Sequence, residues 1–164
     1  MIVKRLKTIQ QGDINKVSKI LKQENLSGFN AGPGTSFYGG QNVQLLEKEF
    51  CDYFKCRYAV SVNSWTSGLE IAVASLKLRT GTEVICSPWS MSATVAAIAN
   101  NQCVPVFADI DPLTFNIDPS MIEEKITERT GAILITEMYG QSCDIKSIIK
   151  LAKKYKLFTI SDTA

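Results

Sequence analysis

The 164-residue sequence is 45% hydrophobic and 21% charged, the make-up of a folded unit able to bury a sizeable core rather than of a disordered or collagen-like chain. A net charge of +2, evenly spread and without aromatic and basic interleaving, argues against nucleic acid or an acidic membrane surface as a partner. Histidine is absent, which removes Ser-His and Cys-His nucleophile pairs and most transition-metal sites from this chain.

In chain order, Asp13 to Lys22 reads as a first amphipathic helix with Ile14, Val17 and Leu21 on one face, fading by Asn25. Gly28 to Gly40, rich in Gly, Asn and Ser and containing Pro33, reads as a mobile loop with Phe37 and Tyr38 as possible anchors. Val43 to Phe54 is a second amphipathic helix, carrying Val43, Leu46, Phe50 and Phe54 at helical spacing. Tyr58 to Val62 is short, apolar and β-branched, which predicts a strand, and Leu69, Ala72, Val73 and Leu76 predict a buried helix face running to about Leu78. Between them, Asn63, Ser64, Thr66, Ser67 and Gly68 either cap the helix or hold a phosphate or carboxylate at its positive end.

Glu83 to Cys86 predicts the next strand, followed by the polar loop Ser87 to Thr94, in which Trp89 either plugs the core or walls a pocket. A small-residue helix over Ala93 to Asn100 leads to a strand over Val104 to Ile110. Asp118 and Pro119 are N-cap and first-turn signals for a helix through Ile126. Ala132 to Thr136 is an almost uninterrupted apolar strand. Asp144 caps a helix through Tyr155 with Lys153 and Lys154 at its negative end, and Leu157 to Ile160 is the last strand.

Five scattered cysteines, Cys51, Cys56, Cys86, Cys103 and Cys143, contain no C-x-x-C pair and suit small core positions in a reducing compartment. With no secretory leader pattern and no run long enough for a membrane span, a cytoplasmic protein is expected. Strands without polar faces alternating with helices predict a three-layer α/β/α fold around a mainly parallel sheet. No internal repeat or linker divides it, so residues 1–164 read as a single domain, with a helix and loop over 1–40 and alternating α/β structure over 41–164. The polar groups at Asn63 to Gly68, Ser87 to Thr94, Glu137 to Gln141 and Ser161 to Thr163 each follow a strand, where ligands sit in such sheets, and one shared site is expected.

Several of these stretches, in this order, resemble the DegT/StrS-type sugar aminotransferases, pyridoxal phosphate enzymes of fold type I. Gly39-Gly40-x-x-Val43-x-x-Leu46-Glu47-x-x-Phe50 resembles the family's opening helix, and Ser64-Trp65-Thr66-Ser67-Gly68-Leu69 its Ser-Gly-Thr phosphate turn. Pro105 to Asp111 resembles its Pro-Val-Phe-x-Asp strand, Tyr139-Gly140-Gln141-x-x-Asp144 its Tyr-Gly segment, and Ile160 to Ala164 its Glu-Asp-Ala-Ala motif. The resemblance implies the amino-terminal half of the large domain, an incomplete form of that fold, binding pyridoxal 5'-phosphate. Ser64, Trp65, Thr66 and Ser67 would hold the cofactor phosphate. Asp162 would pair with the pyridine nitrogen and keep it protonated. An aromatic from the Ser87 to Thr94 loop would stack on the ring: Met91 occupies the usual position, Trp89 lies two residues earlier, and Trp89 is favoured. Trp65 stands where the family usually has glycine, so its side chain must point away from the phosphate or act as a wall.

The family's Schiff-base lysine lies in a Ser-x-x-x-x-Lys segment well beyond the Asp motif, whereas this sequence stops two residues after Asp162. Lys146, Lys150 and Lys153 match no part of that segment. The resemblance therefore implies a truncated, split or decayed aminotransferase for nucleotide-linked keto sugars of the kind used in polysaccharide biosynthesis, with glutamate as donor. It would be inactive alone, and would be a homodimer or depend on a complementing carboxyl-terminal chain. The alternative is a noncatalytic module that binds a phosphorylated ligand or docks on a full-length relative.

Overall fold

The computed structural model describes residues 8–23, 26, 28–29, 32 and 34–164. Asn25 and Pro33 lie outside the described residues. The chain separates into two compact units, Met1–Ser61 and Val62–Ala164.

The first unit contains α1 (Gln11–Leu21), a single 3-10 turn over Thr35–Tyr38, and α2 (Gln41–Phe54). A capping box between Gln10 and Asp13 starts α1, two residues before the sequence pattern alone suggests. Both helices are amphipathic, yet neither buries a residue within the chain. Ile14, Val17 and Leu21 of α1, and Leu46, Phe50 and Phe54 of α2, stay exposed. The turn at Gly39 needs a positive φ of 90°, a conformation open to glycine at no steric cost. Tyr58 to Val62, expected as a strand, is not one. It meets no partner ladder among the described residues, and Tyr58, Val60 and Val62 are exposed. Apolar, β-branched composition favours an extended chain, but a strand exists only with a neighbour to share its hydrogen bonds.

The second unit is a parallel four-stranded sheet in the order β2-β1-β3-β4, with β1 Glu83–Cys86, β2 Val104–Phe107, β3 Thr130–Thr136 and β4 Phe158–Asp162. Its helices are α3 (Trp65–Ser75), α4 (Ser92–Asn100), α5 (Pro119–Lys125) and α6 (Ile145–Tyr155). Successive residues of β3 serve opposite faces, as the two-residue period requires. Ala132 and Leu134 pack with Leu69 and Val73 of α3 and Ala97 and Ile98 of α4. Ile133 and Ile135 pack with Ile122 of α5 and Ile148 and Ala152 of α6. The central strands β1 and β3 are therefore dry on both faces, which explains why β3 reads as a continuous apolar run rather than an alternating one.

Local signals end the elements where they should. The Asp118 carboxylate accepts from the Ser120 N–H at 2.7 Å at the start of α5, and Asp144 accepts from the Ser147 N–H at 3.1 Å at the start of α6. Helix α3 stops at Ser75, short of Leu78, and β2 stops at Phe107. Ile110, expected at the end of that strand, instead makes an isolated antiparallel bridge to Ile117. Cys86, Cys103 and Cys143 are buried as expected, and burial pushes the Cys86 thiol up to about 11. Cys51 is half-buried and Cys56 exposed, so these two do not serve the core.

Candidate functional site

Beyond the carboxyl ends of the strands in the second unit lies a cavity of about 340 Å³, within the range of small-molecule pockets, roughly 300–1,000 Å³. All four polar stretches expected to share a site contribute, although the one at the start of α3 does not follow a strand. Trp65 and Thr66 come from the start of α3, Ser90 and Met91 from the loop after β1, Glu137 to Tyr139 from the loop after β3, and Asp162 from the end of β4. Adjacent parallel strands end side by side, so residues remote in sequence meet there without any long-range pattern to announce it.

Two carboxylates line this cavity, Glu137 and Asp162, and Asp162 is the buried one, 4% exposed. Its register opposite Thr136 places it at the last rung between β3 and β4, and the Glu137 N–H donates to its carbonyl at 3.0 Å. Its carboxylate is fully occupied by donors on one side. The Trp65 Nε1–H donates to Oδ1 at 2.6 Å and the Ala164 N–H donates to the same oxygen at 3.2 Å. The Thr94 hydroxyl reaches Oδ2 at 3.5 Å, and is itself 2.6 Å from the Ser90 hydroxyl, which lies 3.3 Å from that of Thr136. A buried carboxylate without such partners would cost several kcal/mol, about 1–3 for a single lost bond and more for a charge.

At the other end, Ser64 caps α3: its hydroxyl accepts from the Ser67 N–H at 3.2 Å and lies 3.0 Å from the Ser67 hydroxyl. The helical ladder begins with the Gly68 N–H on the Ser64 carbonyl at 3.1 Å. The Trp65 and Thr66 N–H groups precede it and point along the helix axis at its positive end, the arrangement that receives anions.

Of the residues singled out from the sequence, Trp65, Thr66, Met91 and Asp162 line the cavity. Ser64 and Ser67 shape the helix start behind it. Trp89 is not in the cavity wall; its ring lies 6.1 Å from that of Phe115, which in turn meets Tyr139 edge-on at 6.2 Å. The Trp89 backbone N–H is tied to the Ser87 hydroxyl at 3.0 Å. Trp65 resolves its departure from glycine by acting as a wall.

Asn116 emerges only from the structure. Its sequence context marks a turn, but the side chain is buried and joins two parts of the loop after β3. Its Nδ2 donates to the Gln141 carbonyl at 2.9 Å, and its Oδ1 accepts from the Met138 N–H at 2.8 Å. That loop holds Tyr139 and Gly140 at positive φ, 55° and 76°, so external anchoring offsets a backbone that tyrosine rarely adopts. A short loop containing Tyr-Gly is the only signal that could have pointed here.

This donor set fits a flat, phosphorylated heteroaromatic: a buried carboxylate for a ring nitrogen, a helix start for a phosphate, and Met91, Trp65 and Leu69 as apolar walls. A model of the DegT/DnrJ/EryC1/StrS aminotransferase family matches residues 21–164. The chain belongs to this family. The spore coat polysaccharide biosynthesis protein SpsC of Bacillus subtilis is 42% identical over 125 residues, 76% of this chain and 32% of SpsC. The dTDP-3-amino-3,6-dideoxy-alpha-D-galactopyranose transaminase of Aneurinibacillus thermoaerophilus is 36% identical over 93% of this chain and 42% of its own length. The aminotransferase of Psychrobacter cryohalolentis superposes with a TM-score of 0.84 at 28% identity, over 96% of this chain and 38% of that one. NtdA of Bacillus subtilis, solved with bound cofactor PMP, superposes with a TM-score of 0.78 at 36% identity, over 91% of this chain and 32% of that one. The chain thus has part of the fold of the pyridoxal phosphate aminotransferases and spans 32% to 42% of these relatives' lengths.

Proposed function

We propose that this chain is the cofactor-holding amino-terminal part of a cytoplasmic, pyridoxal-phosphate-dependent aminotransferase that acts on a nucleotide-linked keto sugar with glutamate as donor, its 164 residues forming one partial domain of a dimer. The observation that carries the reading is the presence of buried Asp162 and the α3 start at Thr66 in one apolar-walled cavity. When bound, the cofactor supplies an electron-accepting ring for amino-group transfer. Thr66, with the N–H groups of the first turn of α3, holds its phosphate. Asp162 would accept a hydrogen bond from the ring N–H and so favour its protonated form. Met91 and Leu69 give the ring its apolar walls.

No lysine lines the cavity among the described residues, and Lys146, Lys150 and Lys153 lie exposed on α6. In this reading the amine that tethers the cofactor and moves the proton comes from polypeptide outside these 164 residues, in the same protein or in a complementing chain, and the chain by itself is inactive. The same observation favours a second reading, a noncatalytic module for a phosphorylated ligand.

Titration with pyridoxamine 5'-phosphate, which needs no lysine to bind, tests both. The expected result is saturable quenching of tryptophan fluorescence, competed by inorganic phosphate and weakened about tenfold or more by Asp162→Ala, the value of a charge-assisted hydrogen bond. Binding competed by phosphate but indifferent to Asp162→Ala would favour the noncatalytic module. No binding would overturn both.

A further inference from the structure

We infer that Trp65 is a displaceable plug, its indole N–H occupying the carboxylate oxygen that a ring-nitrogen ligand must reach, so that such a ligand enters by turning the indole out. This rests on the cofactor reading of the cavity and adds a competitor to it.

The geometry is specific to this chain's tryptophan. Asp162 Oδ1 accepts from Trp65 Nε1 at 2.6 Å and from the Ala164 N–H at 3.2 Å, which uses both of its lone pairs. Oδ2 looks toward Thr94, which is fully buried and no part of the cavity wall. The proposal places the ligand's ring nitrogen on Oδ1, the oxygen that Trp65 holds. An aromatic N–H is the same kind of donor as a protonated pyridine nitrogen, aimed at the same acceptor. It differs in charge: the pyridinium bond is charge-assisted from both sides and outcompetes a neutral indole.

Trp65 is also free to leave. It is 47% exposed, and it is the first residue of α3, so rotation about its side-chain bonds breaks no helical hydrogen bond. The indole keeps a buried carboxylate from standing without its donor, and no buried side-chain polar atom among the described residues lacks a partner. The consequence for binding is that only the indole-out fraction is competent, which weakens apparent affinity by that fraction.

The chain has two tryptophans, so its indole N–H signals are few enough to follow by ¹⁵N NMR. The Trp65 signal, assigned by its loss in Trp65→Phe, is expected downfield in the free chain. It should move upfield in Asp162→Asn, and move on saturation with pyridoxamine 5'-phosphate, while Trp89 stays. Trp65→Phe removes the competitor and should bind pyridoxamine 5'-phosphate at least about fivefold tighter. Two results would overturn the plug while leaving the cofactor reading intact: Asp162-dependent binding by the wild type with no gain in Trp65→Phe, or a Trp65 signal that ligand leaves unmoved. Absence of binding by wild type and Trp65→Phe alike would overturn both. Should Trp65→Phe fail to fold, Trp89→Phe assigns the two signals by elimination, and the wild-type and Asp162→Asn spectra decide the matter.

Discussion

Asn116 carries a load out of proportion to its size, because one carboxamide holds the loop that supplies three of the twelve residues lining the cavity. Asn116→Ala removes the bond to the Gln141 carbonyl and the bond from the Met138 N–H, 2.9 and 2.8 Å long, from a side chain 3% exposed. At about 0.5–1.5 kcal/mol for each net hydrogen bond, the loop should be destabilised by roughly 1–3 kcal/mol. At 1.4 kcal/mol per tenfold, that raises the local opening equilibrium about 5- to 140-fold. Hydrogen exchange reads this directly at the Met138 and Gln141 amides, the second of which bonds the Met138 carbonyl at 3.0 Å. The Ile148 amide, bonded to the Asp144 carbonyl at 3.1 Å in α6, reports on global opening in the same sample. Acceleration confined to the loop is the expected outcome. A Met138 amide that exchanges within about twofold of wild type would refute the reasoning, as would equal acceleration at Ile148.

Leu134 is fully buried between β1, α3 and α4, and Leu134→Ala should cost about 2–5 kcal/mol in urea unfolding, the usual range for a core truncation that leaves a cavity. The Glu83 carboxyl is held below the ordinary range, first by the Thr127 hydroxyl and also by the Arg129 guanidinium at 2.5 Å, against the opposing effect of burial. A depressed folded value contributes stability that is present above the unfolded value, about 4.3, and is lost as pH falls through the folded one. Unfolding measured as a function of pH should therefore show a shallower acid loss in Glu83→Gln than in wild type. Strand β4 has a partner on one side only among the described residues, with Phe158 and Thr159 exposed. Such an edge invites pairing between chains, so Thr159→Lys should reduce any concentration-dependent association seen in sedimentation velocity.

Elements whose ends are marked by their own residues were legible from the sequence alone. Asp118-Pro119 and Asp144 set the starts of α5 and α6, Glu83 to Cys86 is β1, and the doubly apolar Ala132 to Thr136 announced a strand buried on both faces and with it a parallel sheet. These depend on short-range capping and on a two-residue period, both of which a linear text carries. Tyr58 to Val62 had the right composition for a strand and lacks a neighbouring ladder, a condition that no local pattern encodes. The same division runs through the site. Asp162 and Thr66 could be named from motif and position, but their meeting in one cavity, the indole of Trp65 on the Asp162 carboxylate, the turning of Trp89 onto Phe115, and the Asn116 brace all join residues at least 22 positions apart, or depend on such contacts. Sequence determines which groups stand at the strand ends; only the packing of the strands side by side decides which of those groups touch.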